Sequence, residues 1–335
     1  MLNFFKSNNP GVVAFYVIYL VAFRLCFAFA PFDGSFVFSH TEPLSHFVFG
    51  LLKTPLLSYS WLSPFLSAIL CFVQALFIND MVNENKITSK KNYLAGLFFI
   101  LVFSLFKESL LLSPASLALT FLILSTRKMF SLVKKEKAFG DVFDVGFLVA
   151  IAALFYFPAT LFFLFAYIGL SIVRAFNYRD WIVIFMGFVS PYIVVFTYYF
   201  WFDKTPLLLT DIANVHGGGW MGGIAIKHED YLVFGVLMLF IAASFALLPG
   251  ALYSSLIQVR KFSTALITLI FMIALAFGLQ QTVHLSHWVL LALPLSVIFS
   301  MVIMQIKNKW VSEVSHLILI LLVLAGQYLP LLHIL

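Results

Sequence analysis

The chain has 335 residues, 63% of them hydrophobic and 10% charged, with 20 Lys and Arg against 14 Asp and Glu. A soluble domain carries about a quarter charged residues, so a water-soluble globular protein is excluded. The net charge of +6 does not mark a nucleic-acid binder either. Its basic residues fall in alternate loops between apolar runs, the distribution that sets membrane topology.

Most of those runs are near the roughly twenty residues that cross about 30 Å of hydrocarbon as a helix. They are too continuous for the alternating strands of a barrel. The expected fold is therefore all-α: a polytopic transmembrane helical bundle, one integral membrane domain over residues 1–335, in an inner-type membrane. Cys26 and Cys71 lie inside apolar segments and read as small core residues with no disulfide role. No loop is long enough for a nucleotide-binding domain, and no GxxxxGK[ST] phosphate loop is present. Neither an internal repeat nor the paired broken helices of many transporters can be read from the two halves.

In chain order, the start MLNFFKSNNP leads into a first span at 11–30, interrupted by Arg24. The run is too long for the apolar region of a cleavable signal, so it is expected to stay as a helix. Residues 31–60 form a first outer loop, with 44–57 as a short helix in the interface. Span 61–82 returns to Lys86, Lys90 and Lys91, and 93–106 leads out to Lys107 and Glu108. Span 114–124 comes back to Arg127, Lys128, Lys134, Lys135 and Lys137. Residues 145–157 and 159–173 pair around Pro158 and end at Arg174 and Arg179. Span 181–202 delivers a second outer loop, 203–230, and 231–253 returns to Arg260 and Lys261. Residues 262–281 lead out to His284 and His287, 289–305 return to Lys307 and Lys309, and 314–332 cross last.

That makes about eleven spans, with the N-terminus inside and the C-terminus outside. Fifteen of the 20 Lys and Arg residues fall on the inner side and four outside, with Arg24 within a span. This is the inner excess that the positive-inside rule expects.

The expected outer side gathers His40, His46, His216, His228, His284 and His287, with His333 near the outer C-terminus. His316 instead begins a span from the inside. Asp33, Glu42, Glu108, Asp203, Asp211, Glu229 and Asp230 join the outer set, as do Lys53, Lys107, Lys204 and Lys227. An outward polar cavity at the membrane surface would use such groups, and ordinary solvated loops would also carry them. Arg24 stands apart, because a charge within a span costs several kcal/mol unless it is paired or snorkels. It either binds an anionic headgroup, as Arg does well, or meets a buried partner such as the Gln74 amide or a backbone carbonyl. In the stretch 280–288, QQTVHLSHW, a helix would put His284 and His287 on one face, able to share a metal, with Gln280 orienting His284. The same stretch also reads as an interfacial helix end with a Trp anchor. Gly217, Gly218, Gly219, Gly222 and Gly223 around Trp220 form either a lid or a plain flexible loop.

An outer loop bearing Asp33 after span one, an interfacial segment behind it and eleven spans resemble the GT-C class of membrane glycosyltransferases. That resemblance implies transfer of sugar from a polyprenyl-phosphate donor, with Asp33 as the catalytic acid of the first outer loop. Gly34 and Ser35 stand where the class commonly has a second acid, and Glu42 follows nine residues on. Asp33 would take the acceptor proton or hold a divalent metal ion. Arg24, Glu42, Lys107, His284 and His287 would bind substrate. The start MLNFFKSNNP and the overall pattern are also similar to an uncharacterised family of bacterial inner-membrane proteins, which implies that location. Two other functions stay open. Carotenoid-cleaving oxygenases resemble the chain in helix content and membrane-side histidines, which would make His40, His46, His284 and His287 iron ligands. A non-catalytic scaffold for an envelope assembly would need no site. The partners expected are membrane lipids and no nucleic acid.

Overall fold

The computed structural model describes residues 2–7, 9–29, 42–135, 138–206, 208, 230–253, 255–278, 280 and 284–332. All regular structure among them is helical, with no strand. A single turn, α1 (Leu2–Phe5), precedes α2 (Val13–Arg24) and α3 (Cys26–Phe29), which carry the first apolar run. The expected interfacial segment is helix α4 (Pro43–Ser58). The later runs lie on α5 (Leu62–Glu84), α6 (Leu94–Phe103), α7 (Pro114–Ser131), α8 (Phe139–Phe155) and α9 (Phe162–Val173). They continue on α10 (Tyr178–Trp201), α11 (Asp230–Tyr253), α12 (Ile257–Gly278), α13 (Ala292–Gln305) and α14 (Lys309–Leu332).

Among the described residues, six helical segments are long and apolar enough to cross a membrane. They are Leu62–Glu84, Tyr178–Trp201, Tyr231–Tyr253, Ile257–Gly278, Leu285–Gln305 and Lys309–Tyr328. The protein is a multi-pass helical membrane protein. Shorter apolar helices fill the remaining runs. The ten residues of α6 rise about 15 Å, half the hydrocarbon thickness, yet all ten are buried. A helix that is apolar on every face belongs inside the bundle. Accordingly α6 packs against α5 and α13, with Phe98 edge-on to Phe299 at 6.1 Å. The periphery is different in kind: α10 exposes Phe185, Ile193, Phe196 and Trp201, the surface expected of a helix facing lipid.

Close helix packing comes from glycine. A Cβ on Gly146 of α8 would strike the Ile184 carbonyl, and one on Gly187 of α10 would strike the Phe143 carbonyl. The two positions are reciprocal, so two backbones meet where neither has a side chain. Small residues permit this kind of approach between membrane helices.

Contacts sort the turns into two ends. At one, which we call the basic end, Arg127 pairs with Glu84, and Lys128 pairs with Asp141 and Asp144. There Lys261 reaches the Val173 carbonyl, Gln305 the Ala251 carbonyl, and the Leu2 N–H donates to Glu313. At the other, the histidine end, Arg24 meets Pro64, Ser45 meets Phe155, and Gln327 meets Ser104. Each contact joins turns that the charge pattern puts on the same side.

Candidate functional site

The centre of the histidine end is the tip of a hairpin made by α6 and α7. From residue 94 to residue 116 every position is buried except Lys107 and Glu108. The chain leaves the helix after Phe103, makes a 3-10 turn at Lys107–Leu110, and runs extended into the capped start of α7. Backbone groups freed by that unwinding need partners at this depth. Ser109 donates to the Phe103 and Phe106 carbonyls at 2.6 Å, Gln327 donates to the Ser104 carbonyl at 2.8 Å, and the Leu112 N–H donates to Ser63 Oγ at 3.1 Å. At the start of α7, Ser113 and Ser116 satisfy each other's backbone N–H groups, with Pro114 in the first turn. The result is a rigid, apolar stem presenting one cation and one carboxylate.

To one side of the tip lies Arg24. It is the last residue of α2, where a positive side chain meets the helix's unsatisfied carbonyl end favourably. Its Nε donates to the Pro64 carbonyl at 2.9 Å and its Nη1 to the Leu20 carbonyl at 3.2 Å. Its Nη2 is buried and has no acceptor among the described residues. Of the alternatives read from the sequence, the carbonyl partner is present and the Gln74 amide is not: Gln74 Oε1, the atom able to accept from a guanidinium, has no partner among the described residues, while Nε2 donates to Ser116 and Thr120. Arg24 also lines a groove of about 620 Å³ between α2 and α5, whose other walls include Val17, Val21, Phe27, Trp61, Phe65 and Ile69. Lys107 Nζ stands 5.7 Å from the centre of the Phe27 ring, so the hairpin tip reaches a wall of this groove.

On the other side, three distant segments meet. Ser45 of α4 is buried and donates to the Phe155 carbonyl at 2.7 Å, anchoring the interfacial helix beside Tyr156. Gln280 donates to the Tyr156 hydroxyl, and the His287 ring lies 5.0 Å from the Tyr156 ring. His284 sits edge-on to His287 at 5.7 Å, and Glu42 acts electrostatically on Tyr156. Trp288 packs on Phe106 at 6.2 Å, which links this cluster to the hairpin.

Of the two readings of the 280–288 stretch, the described residues fit a helix end and not one continuous α-helix. Helix α12 ends at Gly278, His284 is extended, and a 3-10 helix runs from Leu285 to Leu291. Gln280 therefore binds Tyr156 in place of orienting His284. Asp33, His40, His216, His228, His333 and the glycine-rich stretch around Trp220 lie outside the described residues. His46 is exposed on α4. Among the described residues, no three of His, Cys, Asp and Glu come together as a metal-binding group. Arg24 is thus placed beside Phe27 and Lys107, and His284 and His287 beside Tyr156. No described contact joins Arg24 to the two histidines. Tyr156 was not singled out from the sequence. It follows an unbroken apolar run, and only the fold brings Gln280 to it across 124 positions.

The model of a family of unknown function, DUF6427, matches residues 36–334, and the chain belongs to that family. No curated protein and no solved structure matches it.

Proposed function

We propose that this DUF6427 chain is a membrane glycosyltransferase resembling the GT-C class, taking sugar from a polyprenyl-phosphate-linked donor at its histidine end. What supports this most directly is the hairpin tip. A sealed apolar stem carries Lys107 and Glu108 to the end where Tyr156, Gln280, His284 and His287 gather. The presence of helix α4 behind the first loop fits the same layout. In the proposed reaction the acceptor hydroxyl oxygen attacks the anomeric carbon as the bond from that carbon to the phosphate oxygen breaks. The bonding pair leaves with the lipid phosphate, and the hydroxyl proton passes to the Asp33 carboxylate. Alternatively Asp33 would hold a divalent ion, which would supply Lewis-acid chemistry at the phosphate. Lys107 offsets the charge growing on the leaving group, while Glu42, His284 and His287 bind the sugar or the acceptor. The end concerned faces outward from a bacterial inner membrane, as the charge pattern assigns it.

The test is sugar transfer from a labelled polyprenyl-phosphate donor by membranes containing the chain. Asp33→Asn, expressed and folded like the wild type, is expected to lose on the order of 10²- to 10⁴-fold in rate, the usual worth of a general base. Undiminished transfer by that variant sinks the role of Asp33.

A further inference from the structure

We infer that the groove between α2 and α5 is a lateral binding site for a single-chain lipid phosphate. The phosphate sits at Arg24 and Lys107, and the chain lies along α2 and α5. In naming the lipid as the donor's carrier, this rests on the transfer function proposed above.

Charge comes first. A buried guanidinium that has spent Nε and Nη1 on carbonyls still carries its whole positive charge, because carbonyls are dipoles and supply no counter-charge. Nη2 has no acceptor among the described residues. An unpaired polar group at this depth costs several kcal/mol, a cost that an anion bound there would offset. Two cations bear on the spot. Arg24 lines the groove, Lys107 stands over Phe27 of the groove wall, and both act on the Cys26 thiol. Neither makes an ion pair among the described residues. A phosphate carrying −1.5 to −2 charges near neutral pH matches two cations, which a carboxylate with one charge does not. Planar nitrogens of Arg suit phosphate oxygens in particular.

Shape then selects the rest of the ligand. The groove is not closed toward the bilayer: Val17, Val21, Phe65 and Ile69 are all exposed. Tyr59 and Trp61 stand at the same end as Arg24, their rings 6.1 Å apart, where aromatic residues anchor a protein at the interface. A ligand therefore enters sideways from the lipid, with its head at the level of the interface. A methylene takes about the room of one water in the liquid, roughly 30 Å³. The groove's 620 Å³ is room for a stretch of one chain, the remainder of which lies in the bilayer. Phe27 lies between the apolar wall and Lys107, so the chain gives way to the cations within one side chain.

The experiment is native mass spectrometry and equilibrium binding on the full-length protein in neutral-lipid nanodiscs. Its four probes are an isoprenyl monophosphate of about twenty carbons, the matching isoprenol, phosphatidylglycerol and inorganic phosphate. The expected result is tighter binding of the monophosphate than of the alcohol by about tenfold or more, the worth of a charged hydrogen bond. Arg24→Gln should erase that preference while leaving the alcohol's affinity unchanged. Ala68→Trp, which fills the groove from the α5 side, should weaken monophosphate and alcohol alike and serves if Arg24→Gln does not fold. Equal affinity for monophosphate and alcohol overturns the site. So does an affinity for the monophosphate that both variants keep. Phosphatidylglycerol competing as well as the monophosphate overturns the single-chain ligand, and inorganic phosphate competing as well overturns the role of the groove. Monophosphate binding without any turnover of a sugar donor leaves this site standing and removes the transferase. Turnover at an unchanged rate in Arg24→Gln does the reverse.

Discussion

Arg24 Nε lies 2.9 Å from the carbonyl oxygen of Pro64, tying the last residue of α2 to the first turn of α5. This bond joins the two walls of the groove and leaves one guanidinium nitrogen without an acceptor among the described residues. A membrane protein that buries a cation in this way gains little stability from it, because desolvation offsets what the two carbonyls return.

Replacing Arg24 by Met is accordingly predicted to change the melting temperature little in the absence of lipid. An isoprenyl monophosphate should raise the melting temperature of the wild type, and that of Arg24→Met by no more than the matching isoprenol does, since a ligand shifts unfolding only as far as its affinity for the folded state. Thermal unfolding in detergent, with and without the lipid, is the check. An equal rise in both proteins would mean that the ligand binds elsewhere.

Gly146 and Gly187 should tolerate no side chain. A methyl group at either meets a facing carbonyl of the neighbouring helix, Ile184 or Phe143, so Gly146→Ala and Gly187→Ala are each predicted to cost about 1–3 kcal/mol, the usual range for overpacking. Gly235→Ala is the control. Nothing lies within 4 Å of its added carbon, and the higher helix propensity of Ala should make it neutral or slightly stabilising. Denaturation midpoints of the three variants separate the two cases.

Tyr156→Phe removes the acceptor for the Gln280 amide. Because Tyr156 is buried, the orphaned donor is predicted to cost about 1–3 kcal/mol. Gln280→Leu in the same protein should recover part of that loss, so the double variant should be less damaged than the sum of the two single ones. Strict additivity would show that the bond is not made in solution.

How much of this was legible beforehand depends on the range of the interaction. The helices follow from runs of apolar residues, and the short helix expected at 44–57 is present as α4. Helix α7 runs on beyond the expected span end at 124 to Ser131, where Met129 and Phe130 are buried and Arg127 and Lys128 pair across helices with Glu84, Asp141 and Asp144. Arg24 announced itself as a charge in an apolar run, but its carbonyl partners and its groove depend on α5, 40 positions away. The meeting of Ser45, Phe155, Tyr156, Gln280 and His287 has no local signature at all. Lys107 and Glu108 could be seen as a charged pair, whereas their position as the only unburied residues of a 23-residue hairpin could not.

The basic end should respond to acid through Asp141. Lys135 chiefly, and then Lys128, hold its carboxyl below the usual carboxylate range, while partial burial acts the other way. A depressed carboxylate stabilises the fold above its unfolded pKa of about 4, and that contribution is lost as pH falls through the lower folded value. Lys128 behaves oppositely: the hydrogen bonds it donates to Asp144 and Asp141 raise its pKa, so its share is lost only as pH climbs through a value above the ordinary one. Asp141→Asn is therefore predicted to reduce stability at neutral pH and to flatten its decline below about pH 4. Melting temperature against pH for wild type and variant tests both parts.

The most direct test of the central claim is the release of free lipid phosphate from polyprenyl-monophosphate hexoses by the purified chain in nanodiscs, with cell-envelope acceptor added. That product appears whichever acceptor takes the sugar. Our account predicts release by the wild type and its loss in Asp33→Asn. Folded wild-type protein that binds the donor and releases none across the panel of sugars would contradict a glycosyl-transfer function.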